Sequence, residues 1–179
     1  MNIQLIKNFN PILKINTQSS NIKLNKIIPN EWLFILMNTG SFTQNLNSLL
    51  ISDININISQ KYNYNQPQQF HNTRTVWLAN NNNQRFAFAQ SRWIIKNNYT
   101  NYLNLLNNKP IGKSFIINET DLHKKIEEIY CGHSYILEKN FQSQQLIWGR
   151  KYTLLYNKKS FIVIQEYFSP NLTKFLKFH

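Results

Sequence analysis

Residues 146–168 read LIWGRKYTLLY, then NKKS, then FIVIQEYF, and this stretch decides the fold class. Two runs rich in β-branched and aromatic residues flank a short polar break, which is the pattern of an antiparallel hairpin. Strand alternation puts Glu166 in phase with Ile162, Ile164 and Phe168, so a carboxylate points toward an apolar face. Burying it unpaired is costly enough that neutralisation, a cationic partner or a functional role is expected. In the first arm Trp148, Arg150 and Lys151 form a basic strand end that could grip an anion, although solvation is the expectation for such a cluster.

Upstream, TRTVWLA (73–79) and RFAFAQSRWII (85–95) flank NNNNQ (80–84) and read as a second hairpin. The same phase argument groups Arg74 with Val76 and Leu78, so a guanidinium also faces apolar surface. Arg74 and Glu166 then become opposite charges that meet inside. The alternative is an edge-strand Glu166 facing solvent and an Arg74 whose stem snorkels. Arg92 and Trp93 read as an ordinary strand pair.

Elsewhere, EWLFILMN (31–38) predicts a helix capped by Asn30, and SFTQNLNSLL (41–50) a second one opened by Ser41. ISDININISQ (51–60) alternates as a strand, and Asn63–Asn72, with Pro67, reads as a surface loop. Helices are expected over NYTNYLNLLNN (98–108) and over DLHKKIEEIY (121–130), the latter with Asp121 as its cap. The fold class that follows is α+β, one domain over residues 1–179 with an antiparallel sheet flanked by helices.

Composition narrows the function. Twenty Lys and Arg against eight Asp and Glu give a net charge of +12, but the basic residues are dispersed, so no specific nucleic-acid partner is expected. A general positive field also attracts small anions. The apolar runs are too short for a spanning helix, and the N-terminus lacks the features of a secretory or transit signal, so no membrane association is expected. The single cysteine, Cys131, and the scattered histidines His71, His123, His133 and His179 predict neither a disulfide nor a metal site. Isolated glycines offer no phosphate loop, and no Ser, His and Asp arrangement stands at recognisable spacing. The abundance of Asn, Ile, Lys, Phe and Tyr matches AT-rich codons, hence a plastid or another AT-rich genome.

Six blocks, WLFILMNTGSFTQNL, RTVWL, RFAFAQSRW, KPIGKSFI, IWGRKYTL and IVIQEYFSP, span residues 32–170 and together resemble the ordered motif series of the chorismate lyase family, including its plastid and cyanobacterial members. The resemblance implies a twisted antiparallel sheet with the ligand beneath helical flaps. It also implies a cofactor-free enzyme, expected to be monomeric, acting on a small-molecule substrate: pyruvate is eliminated from chorismate to leave 4-hydroxybenzoate. By motif, Arg74 takes the place of the carboxylate-binding arginine and Glu166 that of the acid beside the ligand. Ile111, with Gly112 beside it in the PIG turn, is a backbone contact, and Phe42 an apolar flap residue. Departures are Phe42 where the bacterial enzyme has Met, Gln90 where many members have Arg, and a longer segment over 118–146. A non-catalytic binder of small aromatic acids is the alternative, because sensing domains of some transcription regulators resemble this fold.

Overall fold

The computed structural model describes residues 8–19, 23–50, 53–66, 69–96, 122–156 and 159–176. Among them, seven strands form one antiparallel sheet: β1 (Asn10–Asn16), β2 (Asn55–Gln66), β3 (Gln69–Ala79), β4 (Arg85–Lys96), β5 (Leu122–His133), β6 (Ile147–Tyr156) and β7 (Lys159–Phe168). Their spatial order is β1-β5-β6-β7-β4-β3-β2, so β7 lies at the centre. The hairpins read from 73–95 and 146–168 are present as β3–β4 and β6–β7. At the β3–β4 turn the Asn80 side chain accepts from the amides of Asn82 and Gln84, while Asn83 adopts φ 59°, a left-handed conformation that Asn tolerates.

Helix α1 (Asn30–Leu36) and helix α2 (Phe42–Leu50) occupy the two segments expected to be helical. The cap of α1 differs: Pro29 holds that position and Asn30 is the first helical residue. A third helix, α3 (Tyr135–Phe141), ends at Gln142 in the left-handed region. A 3₁₀ turn at Leu24–Lys26 and a 3₁₀ helix at Pro170–Phe175 complete the set; in the latter the Ser169 hydroxyl accepts from the Asn171 amide.

Two expectations fail. Residues 122–130 are strand, not helix, because β5 is paired on both sides, with β1 and β6. A register shift between Ile126 and Glu128 puts Ile126 and Ile129 on one face at a spacing of three. Such a bulge imitates helical periodicity in the bare sequence. The expected loop at 63–72 is largely strand, with Asn63 opposite His71 and Gln66 opposite Gln69 across a register shift; ladder pairing overrides the weak strand propensity of Asn and Gln, and Pro67 lies outside the described residues. The helix expected over 98–108, and Asp121, lie outside the described residues.

The register aligns side chains into rows across the sheet. One row runs Ile58, Val76, Ala89, Glu166, Arg150, Ile129, Ile15, apolar except at its centre. This face packs against α1 and α2 through Trp32, Ile35, Leu36 and Leu46 and against the C-terminal 3₁₀ helix through Leu172. The opposite face carries Tyr130, Tyr167 and Ile147 beneath Phe9 and the Leu137 and Phe141 side chains of α3. Gly149 lies between Tyr130 and Tyr167 in register, and a β-carbon there would collide with the Tyr130 ring and the Glu166 carbonyl. Each large apolar side chain so buried contributes about 1.5–3 kcal/mol relative to exposure.

Candidate active site

Glu166 sits on the central strand, where its neighbours in phase are Ile162, Ile164 and Phe168, all at most 3 % exposed. The inward direction read from alternation therefore holds, and the edge-strand alternative does not. Its cation, however, is not Arg74. Arg150, directly opposite on β6, donates from Nε to Glu166 Oε2 at 2.7 Å, and Tyr152 donates from its hydroxyl to Oε1 at 2.8 Å.

Arg150 is fully buried, which corrects the expectation of a solvated basic cluster. Lys151, on the other face, is also buried and lies 3.4 Å from Glu127 and 3.6 Å from Glu128. The sequence carries the signal for Arg150, since Trp148, Arg150, Tyr152 and Leu154 share one strand phase just as Ile162, Ile164, Glu166 and Phe168 do. A second set of partners explains why arginine occupies the position. Its Nη1 donates to the carbonyls of Ile35, Leu36 and Asn38 at 3.1, 3.0 and 2.7 Å, which are acceptors at the C-terminal end of α1. Helix C-termini leave such carbonyls without intrahelical donors, and a cation meets both the lone pairs and the negative end of the helix dipole.

Burial by itself would raise the pKa of Glu166. Arg150, then Lys124, then the hydrogen bonds from Arg150 and Tyr152 outweigh it and hold the carboxyl below its usual range. The group is thus an ionised carboxylate in an apolar row. Tyr152 is driven the other way, first by burial and then by the Glu166 charge, and remains a neutral phenol able to donate. The Glu166 side chain keeps 11 % exposure and each oxygen retains acceptor capacity, so it can still receive a proton or a hydrogen bond from a ligand.

Arg74, on β3, is fully buried on the same face. Its register partner is Ser91, whose hydroxyl accepts from the Trp93 indole at 3.1 Å. Ser91 in turn pairs with Ile164, so Arg74 stands two strands and two residues from Glu166, a Cα separation of roughly 12 Å from standard strand spacings. Phe42 opens α2, and its ring lies 4.8 Å from that of Phe168, over which the Arg150 guanidinium stands at 5.6 Å. Phe42, Arg150 and Glu166 are thereby gathered into one neighbourhood, with Arg74 farther along the same face. Ile111 and Gly112 fall outside the described residues. A groove of about 400 Å³ between α1, α2 and the C-terminal 3₁₀ helix is lined by Phe34, Phe42, Leu46 and Leu172 among others, but by neither Glu166 nor Arg74.

Among the described residues no cluster of His, Cys, Asp or Glu could hold a metal ion, and no helix is long and apolar enough to cross a membrane.

The family model described as "Chorismate pyruvate-lyase Rv2949c-like" matches residues 36–176. The chain belongs to that family. Two red-algal relatives are similar over 155 residues, 84 % of this chain and 87 % of their own length. Both bear the name "Uncharacterized protein ycf21": one from Porphyra purpurea at 37 % identity, the other from Pyropia yezoensis at 35 %. A further protein of that name, from Cyanophora paradoxa, is 26 % identical over 155 residues, 80 % of this chain and 79 % of its own. The span matched by the family model, residues 36–176, contains Phe42, Arg74, Arg150 and Glu166. A solved GntR-family transcriptional regulator is structurally similar over 65 % of this chain and 54 % of its own at a TM-score of 0.39 and 5 % identity, too distant to bear on function.

Proposed function

We propose that this protein is a chorismate lyase that eliminates pyruvate from chorismate and releases 4-hydroxybenzoate. The observation that carries the reading is the ionised Glu166 at the centre of an apolar row, on the sheet face that also buries Arg74. In this reading Arg74 holds the ring carboxylate through a bidentate, charge-assisted pair. Glu166 lies toward the hydroxyl-bearing end of the ring and, being ionised, serves as hydrogen-bond acceptor or general base, not as an acid. A proton leaves the hydroxyl-bearing ring carbon, its electron pair completes the aromatic ring, and the adjacent carbon–oxygen bond breaks. The side chain departs as enolpyruvate, which takes up a proton and becomes pyruvate. Aromatisation supplies the driving force, so no redox partner enters the balance.

Phe42 from α2 and Ile111 with Gly112 from the PIG turn serve as the remaining ligand contacts. The algal relatives and the AT-rich composition support a plastid setting. The test is pyruvate release from chorismate by wild type beside Glu166→Ala and Arg74→Ala, with the fold of each variant checked by circular dichroism. Release by wild type that both substitutions abolish supports the reading. Absence of release while 4-hydroxybenzoate still binds refutes it in favour of a binding module.

A further inference from the structure

Lys124 on β5 was hidden from sequence reading because its segment resembled a helix. Its register partners Leu154 and, beyond it, Ile162 lie in the phase of Arg150 and Glu166. The half-buried ammonium donates 2.8 Å to the carbonyl of Gly40, in the connection between α1 and α2 two residues before Phe42. It also stands 4.7 Å over the ring of Tyr152, the residue whose hydroxyl binds Glu166.

The charge count here is uneven. Arg150 meets the single negative charge of Glu166 at 2.7 Å, while Lys124 makes no ion pair within the described residues. A half-buried ammonium held by a backbone carbonyl and a ring face is poorly compensated. A ligand carboxylate would correct that deficit, and chorismate carries one more carboxylate than its aromatic product. We propose that Lys124 binds the carboxylate of the departing enolpyruvyl side chain, making it the residue that separates the dianionic substrate from the monoanionic product. This rests on the lyase reading above. The electrostatics agree with it: burial first, opposed by Glu166 and reinforced by Arg150, brings the Lys124 pKa down to about 8. Elimination then cuts the ring away from this anchor, so the product keeps only its contacts at Arg74 and Glu166 and leaves more readily.

The test is calorimetric titration of the full chain with chorismate and separately with 4-hydroxybenzoate, for wild type, Lys124→Met and Lys124→Arg, alongside pyruvate release. Methionine keeps the stem and removes the charge. Its expected effect is a loss of chorismate affinity of about 30-fold, the size seen when one partner of a desolvated charge pair is truncated. 4-Hydroxybenzoate affinity should stay within about twofold, and Lys124→Arg should restore most of the chorismate binding. Equal weakening of both ligands would make Lys124 a mere tether for Gly40, and no weakening would leave it a bystander; either overturns the proposal. Wild type that binds both compounds without releasing pyruvate refutes the lyase reading alone, since discrimination by Lys124 is still read from binding. Wild type that binds neither overturns both.

Discussion

Replacing Arg150 with methionine tests how the site is held together. Methionine fills much of the arginine stem, so the packing loss is small, and the change removes one contact to Glu166 Oε2 and the donor to three carbonyls at the end of α1. Removing one partner of a buried ion pair typically costs about 3–5 kcal/mol, because the other charge is left uncompensated. With a urea m-value of about 2 kcal/mol/M, the unfolding midpoint should fall by about 1.5–2.5 M at pH 7. A second substitution isolates the charge: Arg150→Met with Glu166→Gln should recover about 2–3 kcal/mol, leaving a residue of about 1–2 kcal/mol for the carbonyls stripped of their donor.

The deficit also depends on pH with a definite sign. In wild type the Glu166 carboxyl is held below its usual range, so its contribution is present above the unfolded pKa and lost as pH falls through the folded one. In Arg150→Met burial is no longer opposed by the arginine and the folded pKa rises. The variant is then penalised most at neutral pH and recovers as pH approaches the unfolded value. Urea titrations at several pH values between 7 and 4 read this directly. A cost below about 1 kcal/mol that does not vary with pH, or a double variant no more stable than the single, would refute the reasoning.

Gly149→Ala should cost about 1–3 kcal/mol in a thermal or urea melt, since the new methyl must displace the Tyr130 ring or the Glu166 backbone; a neutral result would mean that the β5–β6–β7 packing has room for a methyl beside Tyr130. The Cys131 thiol, 3 % exposed and lifted by burial to about 11, should react with a disulfide reagent at pH 8 only after denaturation; rapid labelling of native protein would contradict its burial. Lys124 faces Glu166, Arg150, Tyr152 and the Gly40 carbonyl, and with a pKa of about 8 it loses its charge as pH rises through that value. KM for chorismate should therefore climb above about pH 8 in wild type and remain flat in Lys124→Met; equal slopes in both would remove Lys124 from the binding site.

Period-two alternation was enough to find the β3–β4 and β6–β7 hairpins and to aim Glu166 and Arg74 inward, because strands packed on both faces must keep their phase. It failed at β5, where the bulge at Ile126–Glu128 changes the phase, and the error concealed Lys124 as well. It failed differently at Arg150. There the phase was plain, but a cluster of basic residues beside a tryptophan is usually solvated, and nothing local announces that three carbonyls more than 110 residues upstream will meet one guanidinium. Helix α3 was not anticipated either; its seven residues are too few for periodicity to stand out, and it is held by Leu137 and Phe141 on the second sheet face.

The geometry around Arg150 also explains why the site needs that residue type. Its Nε and Nη1 reach in two directions at once, one to a carboxylate on the central strand and the other to the end of the first helix. An ammonium presents one compact charge and cannot hold both at fixed angles. The consequence is mechanical as well as electrostatic. Helix α1 and the connection leading to Phe42 are tied to the sheet at Arg150 and again at Lys124, the two cations that hold Glu166 ionised. The anchoring of that connection and the charge state of Glu166 thus depend on the same two side chains.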